Sequence, residues 1–193
     1  NEFENYYSDI FNVIDEIENY YLKKFYETFS GDDRIVFYGT SNPSEKINIV
    51  PFNIIHRDRI YHPKFITKLM NDLFGIQTRA GCSCAGPYGH KLLNIDRNLS
   101  ERYRNLVTAN GLGALKPGWV RLNMHYSLSY AEFNYLLDAI KFIVNNAEKF
   151  LPLYNLNFTN GEWCHINEDQ ETIPKFDIEK IMKMEDYKLT NFG

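Results

Sequence analysis

Gln77-Thr78-Arg79-Ala80-Gly81-Cys82-Ser83-Cys84-Ala85-Gly86-Pro87-Tyr88-Gly89-His90 is the stretch on which the reading of this chain turns. Two of its three cysteines stand here, one residue apart, with an arginine before them and a histidine after. Glycine and proline mark the segment as a loop that packs poorly as helix or strand. Loops that carry reactive side chains on a rigid scaffold are frequent seats of function. The alternative is a structural turn with two incidental thiols, and local composition does not separate the two.

The flanks supply the scaffold. Upstream, His62-Pro63 opens a helix whose apolar face is Phe65, Ile66, Leu69, Met70 and Leu73, with Pro63 in the first turn, where its missing N–H costs nothing, and Gly75 as the C′ residue. A short strand, Ile76 to Arg79, is expected to lead into the cysteines. Downstream, a helix is expected near Ser100–Val107, then a turn at Lys116-Pro117-Gly118 and a strand from Trp119 to Met124. If Val120, Leu122 and Met124 of that strand face the core, then Trp119, Arg121 and Asn123 face the other side. Ser129-Tyr130-Ala131-Glu132 is a capping box that launches a long amphipathic helix.

Further out, Phe3, Tyr6, Tyr7, Ile10, Phe11, Ile14, Ile17, Tyr21 and Phe25 recur every three to four residues. That spacing predicts a helix over residues 2 to 29 with its apolar stripe in the core. Arg34–Tyr38 and Ile47–Ile54 read as an antiparallel strand pair, with Pro51 directing the second toward an edge or a bulge. Near the C-terminus, Tyr154–Phe158 and Glu162–Ile166 flank the hairpin signal Asn160-Gly161, and a short helix is expected over Asp177–Tyr187. This order gives an α+β fold, an antiparallel or mixed sheet covered by helices. The expected division is a leading helix over 1–33, a sandwich over 34–152 and a C-terminal extension over 153–193.

Composition narrows the function. The net charge of −4, from 21 basic and 25 acidic residues, argues against a nucleic-acid or membrane-surface partner. No run of eighteen apolar residues exists, and the acidic N-terminus is not a cleavable signal. An odd number of cysteines does not read as a disulfide framework, so a reducing, cytoplasmic setting is expected, without excluding an organelle. The chain opens on Asn1, which leads us to expect a piece of a longer protein.

A cysteine is nucleophilic as its thiolate, which a nearby cation stabilises; Arg79, His90 and Lys91 are close in sequence to Cys84. Cys82 and Cys84 with Cys164 and His165 could in principle ligate zinc, but a C-x-C pair matches structural zinc spacing poorly, so no metal is expected and Cys164 reads as a half-buried strand residue. Arg121, on a strand between apolar neighbours, suits rigid bidentate binding of a carboxylate; a plain surface arginine is the other reading.

The segment from Gly75 to Pro87 resembles the active-site loop of the class V aminotransferase family, in its cysteine desulfurase and selenocysteine lyase branch. There a strand runs into R-[TA]-G-x-x-C-A-x-P, and the cysteine of that pattern falls on Cys84. Gly118-Trp119-Val120-Arg121-Leu122-Asn123-Met124, followed by a capped helix, resembles the family's strand bearing the arginine that binds the substrate α-carboxylate. The resemblance covers about residues 34 to 150. It implies that Cys84 forms a persulfide, that Arg121 binds the carboxylate with help from Arg79, and that Cys82 and His90 are auxiliary candidates. Cysteine is the implied substrate, with a sulfur-acceptor protein as partner. It implies pyridoxal 5'-phosphate held by a larger N-terminal domain, since no lysine here stands in the family's Ser-x-His-Lys setting. Taken alone, the chain would then be an inactive C-terminal small domain, monomeric by itself and dimeric when complete. Where the family shows His-His before the cysteine, this chain has Cys82-Ser83. An aminotransferase or lyase that does not use Cys84 covalently, and a non-catalytic thiol- or zinc-binding module, are the alternatives.

Overall fold

Helix α1 (Glu2–Phe29) shows how the core is built. Its C-terminal half buries Tyr21, Leu22, Phe25, Tyr26 and Phe29. The Tyr21 ring stacks on Phe133 at 4.4 Å, and its hydroxyl donates to the Leu128 carbonyl at 2.6 Å. The apolar stripe does not stay inside along its whole length, however. Ile10 and Phe11, expected in the core, are 40% and 61% exposed. A 28-residue helix spans about 42 Å, so α1 outruns the short strands it covers. The computed structural model describes residues 2–42, 45–81 and 86–168, with side chains from residue 9 onward; the expected helix Asp177–Tyr187 lies outside them, as do Cys82 and Cys84.

Strands β1 (Ile35–Phe37), β2 (Ile49–His56), β4 (Arg79–Gly81) and β5 (Trp119–Asn123) form one antiparallel sheet in the order β1-β2-β5-β4, and a short β3 (Arg59–Ile60) pairs with the end of β2. Val50, Phe52, Ile54, Val120 and Leu122 face one side. That side is covered by α1, by α2 (Pro63–Phe74) and by α5 (Tyr130–Phe150), which bury Phe65, Ile66, Leu69, Met70, Phe133 and Ile140 among others. The molecule is thus an α+β sandwich with an antiparallel sheet. Both expected caps are present. Ser129 and Glu132 close the capping box on α5, and Gly75 takes the left-handed conformation that ends α2.

Three expectations need correction. Pro51 lies on an interior strand, not on an edge or bulge. Its carbonyl accepts from Tyr38 N at 3.0 Å, so its missing N–H points the same way, past the last ladder pair of β1, and no β2–β5 bond is lost. The strand expected over Ile76–Arg79 begins only at Arg79, because the backbone first leaves α2 through the Gly75 cap, with Ile76 N still bonded to Met70 O. Gly86–Leu92 is a helix, α3, although its glycines read as loop; Pro87 sits in its first turn, where a proline is tolerated. Helix α4 (Arg97–Thr108) follows, capped by Asp96, whose carboxylate accepts from Leu99 N at 2.7 Å.

The hairpin of β6 (Tyr154–Leu156) and β7 (Trp163–His165) is tied to the turn before β5. Gly113 N and Ala114 N donate to Thr159 O and Phe158 O, and a Cβ on Gly113 would lie 2.3 Å from Thr159 O. Gly113→Ala is therefore expected to cost about 1–3 kcal/mol in urea unfolding, whereas Gly31→Ala, with nothing within 4 Å, stays within about 0.5 kcal/mol of the parent.

His62 ties α2 to the same turn. Its Nδ1 accepts from Lys64 N at 3.2 Å, which leaves Nε2 to donate to Ala114 O at 2.9 Å. The bond at Nδ1 needs the neutral ring; burial holds the pKa below its ordinary 6.5, opposed by the bond to the Ala114 carbonyl and aided by the charge of Lys64. The folded state then binds a proton less readily than the unfolded chain. Stability is complete above pH 6.5 and falls as the pH drops through that value toward the folded pKa. Between pH 7 and 5 the parent should lose more stability than His62→Asn, measured by urea unfolding at each pH.

Candidate functional site

The register of β4 against β5 decides where the arginines stand. Arg79 lies directly opposite Arg121, Ala80 opposite Val120, and Gly81 opposite Trp119. On its other side Arg121 is paired with Pro51. Because the polar backbone groups of Pro51 turn toward β1, those of Arg121 turn toward β4, which makes Arg79 and Arg121 a hydrogen-bonded pair. Both side chains rise from the sheet face opposite the helices. In such pairs the Cβ atoms are about 4.5–5.5 Å apart. Arg79 is exposed and Arg121 half-buried. Among the described residues neither guanidinium has an ion pair or a hydrogen-bond partner.

Around Arg121 that face is well packed. Tyr38, Asn53 and Trp119 are 7%, 1% and 4% exposed. The rings of Tyr38 and Trp119 lie 5.7 Å apart, and Asn53 Nδ2 donates to Tyr38 Oη and to Gly118 O, each at 3.0 Å. Beside them opens a cleft of about 380 Å³, lined by Tyr38, Lys46, Pro51, Tyr88, Trp119 and Arg121 among others. Helix α3 brings Tyr88 to this cleft, and β4 ends at Gly81 beside Trp119. The segment that carries both candidate thiols therefore starts and ends at elements that border the cleft. Cys84 and Cys82 themselves lie outside the described residues.

The structure sorts the other candidates by place. His90 lies on α3, half-buried, and its carbonyl accepts from Ile95 N at 2.8 Å; it does not line the arginine cleft. Cys164 is a half-buried residue of β7. It borders a different cleft, of about 590 Å³, with Lys64, Lys68, Thr78, Trp163 and Glu168. Ala80, which faces the helices, also lines that cleft, so Cys164 is on the opposite side of the sheet from the arginine pair. Among the described residues no group of three or more His, Cys, Asp or Glu side chains could hold a metal ion, and no helix is long and apolar enough to cross a membrane.

Sequence reasoning did not single out Lys46, Tyr38, Trp119 or Tyr88. Lys46 stands in a polar stretch before β2 where no periodicity marks it. Trp119 carried a signal, since its parity with Arg121 places the two on one face.

No family profile and no curated relative matches the chain. Its structure is similar to the apo structure of a cysteine desulfurase from Thermococcus onnurineus NA1, with a TM-score of 0.51 and 22% identity, over 70% of this chain and 27% of that one. At this identity the likeness is one of fold. The chain spans about a quarter of the length of that desulfurase.

Two like charges directly opposite on a sheet destabilise it. Arg79→Gln keeps a polar side chain and removes one charge. It is expected to stabilise the protein by up to about 1 kcal/mol at low salt, a gain that shrinks as added salt screens the pair. Urea unfolding at two ionic strengths measures both effects.

Proposed function

We propose that this chain acts as the C-terminal small domain of a pyridoxal-phosphate-dependent enzyme of the cysteine desulfurase kind, taking an amino acid, most simply cysteine. The observation that carries the reading is the arginine pair. Arg79 and Arg121, without a counter-ion among the described residues, stand directly opposite on adjacent strands of a sheet like that of a desulfurase, and Arg79 precedes the two thiols closely in the sequence. Uncompensated cations on rigid strands suit a carboxylate ligand, which removes the repulsion as it binds.

In this reading Arg121 holds the α-carboxylate by a bidentate contact and Arg79 adds a second donor. The β2–β5–β4 ladder fixes Arg121, so the carboxylate is oriented before reaction rather than during it. The Cys84 thiolate attacks the sulfur of the bound amino acid. An S–S bond forms and the C–S bond breaks, leaving its electron pair on the substrate carbon, which takes up a proton to give alanine. Cys84 keeps the sulfur as a persulfide for an acceptor protein.

The residues of the cleft do not form a seat for the cofactor. Among the described residues the lysine of this cleft is Lys46, and its amine is already bonded to Tyr26 and Thr40. The cofactor, which when bound supplies an electron sink for the substrate carbon, is assigned to residues outside this chain.

In the complete protein, Cys84→Ala is expected to bring sulfide release from cysteine down to background, and Arg121→Ala to lower kcat/KM by about ten- to a hundredfold, chiefly through KM. Sulfide release retained by Cys84→Ala would remove the nucleophile, and an unchanged KM in Arg121→Ala would remove the clamp. Stoichiometric zinc in the purified chain would favour a binding module in place of an enzyme.

A further inference from the structure

Strand β4 is an edge of the main sheet, and its outer side is open. Because Arg79 and Arg121 form a hydrogen-bonded pair, the N–H and C=O of Ala80 turn away from β5. Among the described residues neither group has a backbone partner, and Thr78, just before the strand, makes no backbone bond either. The hairpin of β6 and β7 has an open edge as well. Asn157 N donates to Glu162 O at 2.8 Å and Ile166 N to Leu153 O at 2.9 Å. Asn155 and Cys164 are then a bonded pair, and the N–H and C=O of Trp163 turn away from β6, again without a backbone partner among the described residues.

The cleft of about 590 Å³ joins these two edges. Thr78 and Ala80 line one side and Trp163 and Cys164 another, while no residue of β5 or β6 lines it. Its charged side chains balance, Lys64 and Lys68 against Glu162 and Glu168, so charge does not single out an ion as the occupant. What stands unmet is polar and mostly main-chain: the groups of Ala80 and Trp163, together with Thr78 Oγ1 and Trp163 Nε1, which are buried and have no partner among the described residues. An open strand edge is matched by another backbone in extended form. We propose that this cleft is a docking slot for an extended segment of a partner protein, which adds to the outer side of β4 as the next strand of the sheet. Main-chain bonds to Ala80 hold the segment, and its alternate side chains face the cleft. Strand β4 runs on from Gly81 into the residues that carry Cys82 and Cys84, so a segment laid along β4 arrives at the start of the thiol-bearing stretch. On the proposed function the partner is the protein that accepts the sulfur. That identification rests on the desulfurase reading, whereas the docking slot does not.

The probe is a displayed library of random octapeptides selected against the 193-residue chain, with the affinity of the selected peptides and amide exchange by NMR as readouts. Neither needs cofactor or turnover. In the free chain the Ala80 amide is expected to exchange about tenfold or more faster than that of Arg79, which bonds to β5. A selected peptide should slow Ala80 exchange by a similar factor, and its N-methylation should weaken binding about tenfold at alternate positions only. Ala80→Pro removes the outward donor without touching a β4–β5 bond, and should weaken the peptide about tenfold, whereas Ala80→Gly keeps the donor and should bind within about threefold of the parent. The proposal is overturned if no peptide is selected, if binding is indifferent to Ala80→Pro, or if the Ala80 amide is already protected in the free chain, since the edge would then be covered from within. Should Ala80→Pro fail to fold, the N-methylation pattern and the Ala80 amide decide: protection with alternation supports the slot, and the lack of either overturns it. Edge-specific binding in a protein whose Cys84→Ala variant still releases sulfide would leave the slot standing and remove only the identification of the partner.

Discussion

Arg79 and Arg121 stand directly opposite each other across β4 and β5, and the rest of the sandwich has to hold them there. Nothing in the pair itself favours that arrangement. The register is imposed from the other side of the sheet, where Val120 and Leu122 pack with Val50 and Phe52 under three helices. Side chains alternate with a period of two, so a slip by one residue would drive Arg121 into that core and expose Val120. Burial of each such apolar side chain is worth about 1.5–3 kcal/mol, against a fraction of that for the repulsion between two partly solvated arginines. The hydrophobic core thus decides where the cations stand, and they remain available to a ligand.

Pro51 serves the same end. An interior strand normally excludes proline because a ladder bond is lost. Here the bond that is missing lies beyond the end of β1, while the β2–β5 side is kept for pairing with Arg121. The side of Arg121 that faces β4 is then the hydrogen-bonded one, which fixes an edge strand only three residues long. A short edge strand would otherwise be the least secure part of the sheet, and it carries Arg79.

Much of the scaffold was legible in the sequence because it rests on strong periodic or capping signals. The helices α2 and α5, the parity of β5 and the hairpin at Asn160-Gly161 follow from apolar spacing, a left-handed Gly75, a capping box and a turn dipeptide. The failures share one cause, which is that tertiary context outweighed local preference. Glycines made Gly86–Leu92 read as loop, yet with a proline in the first turn the segment forms a helix of seven residues. Ile10 and Phe11 keep the helical period of α1, but periodicity does not say where the partner surface ends. In the site, Arg121 became a candidate through its place between apolar strand residues and, with Arg79, through the resemblance. Their direct opposition was not, since it depends on strand order. Lys46 carried no signal, because its place depends on how the segment before β2 closes over Tyr26.

The electrostatics of the cleft run against those of the chain. The protein carries a net charge of −4, while the arginine pair and Lys46 gather positive charge along one sheet face. A field of opposite sign confined to a cleft with apolar walls acts over a distance comparable to the Debye length, about 8–10 Å near physiological salt. A field of this sign favours small anions at this face. The buried rings of Tyr38 and Trp119 form a firm floor beside Arg121, and the strands beneath keep that side chain in place.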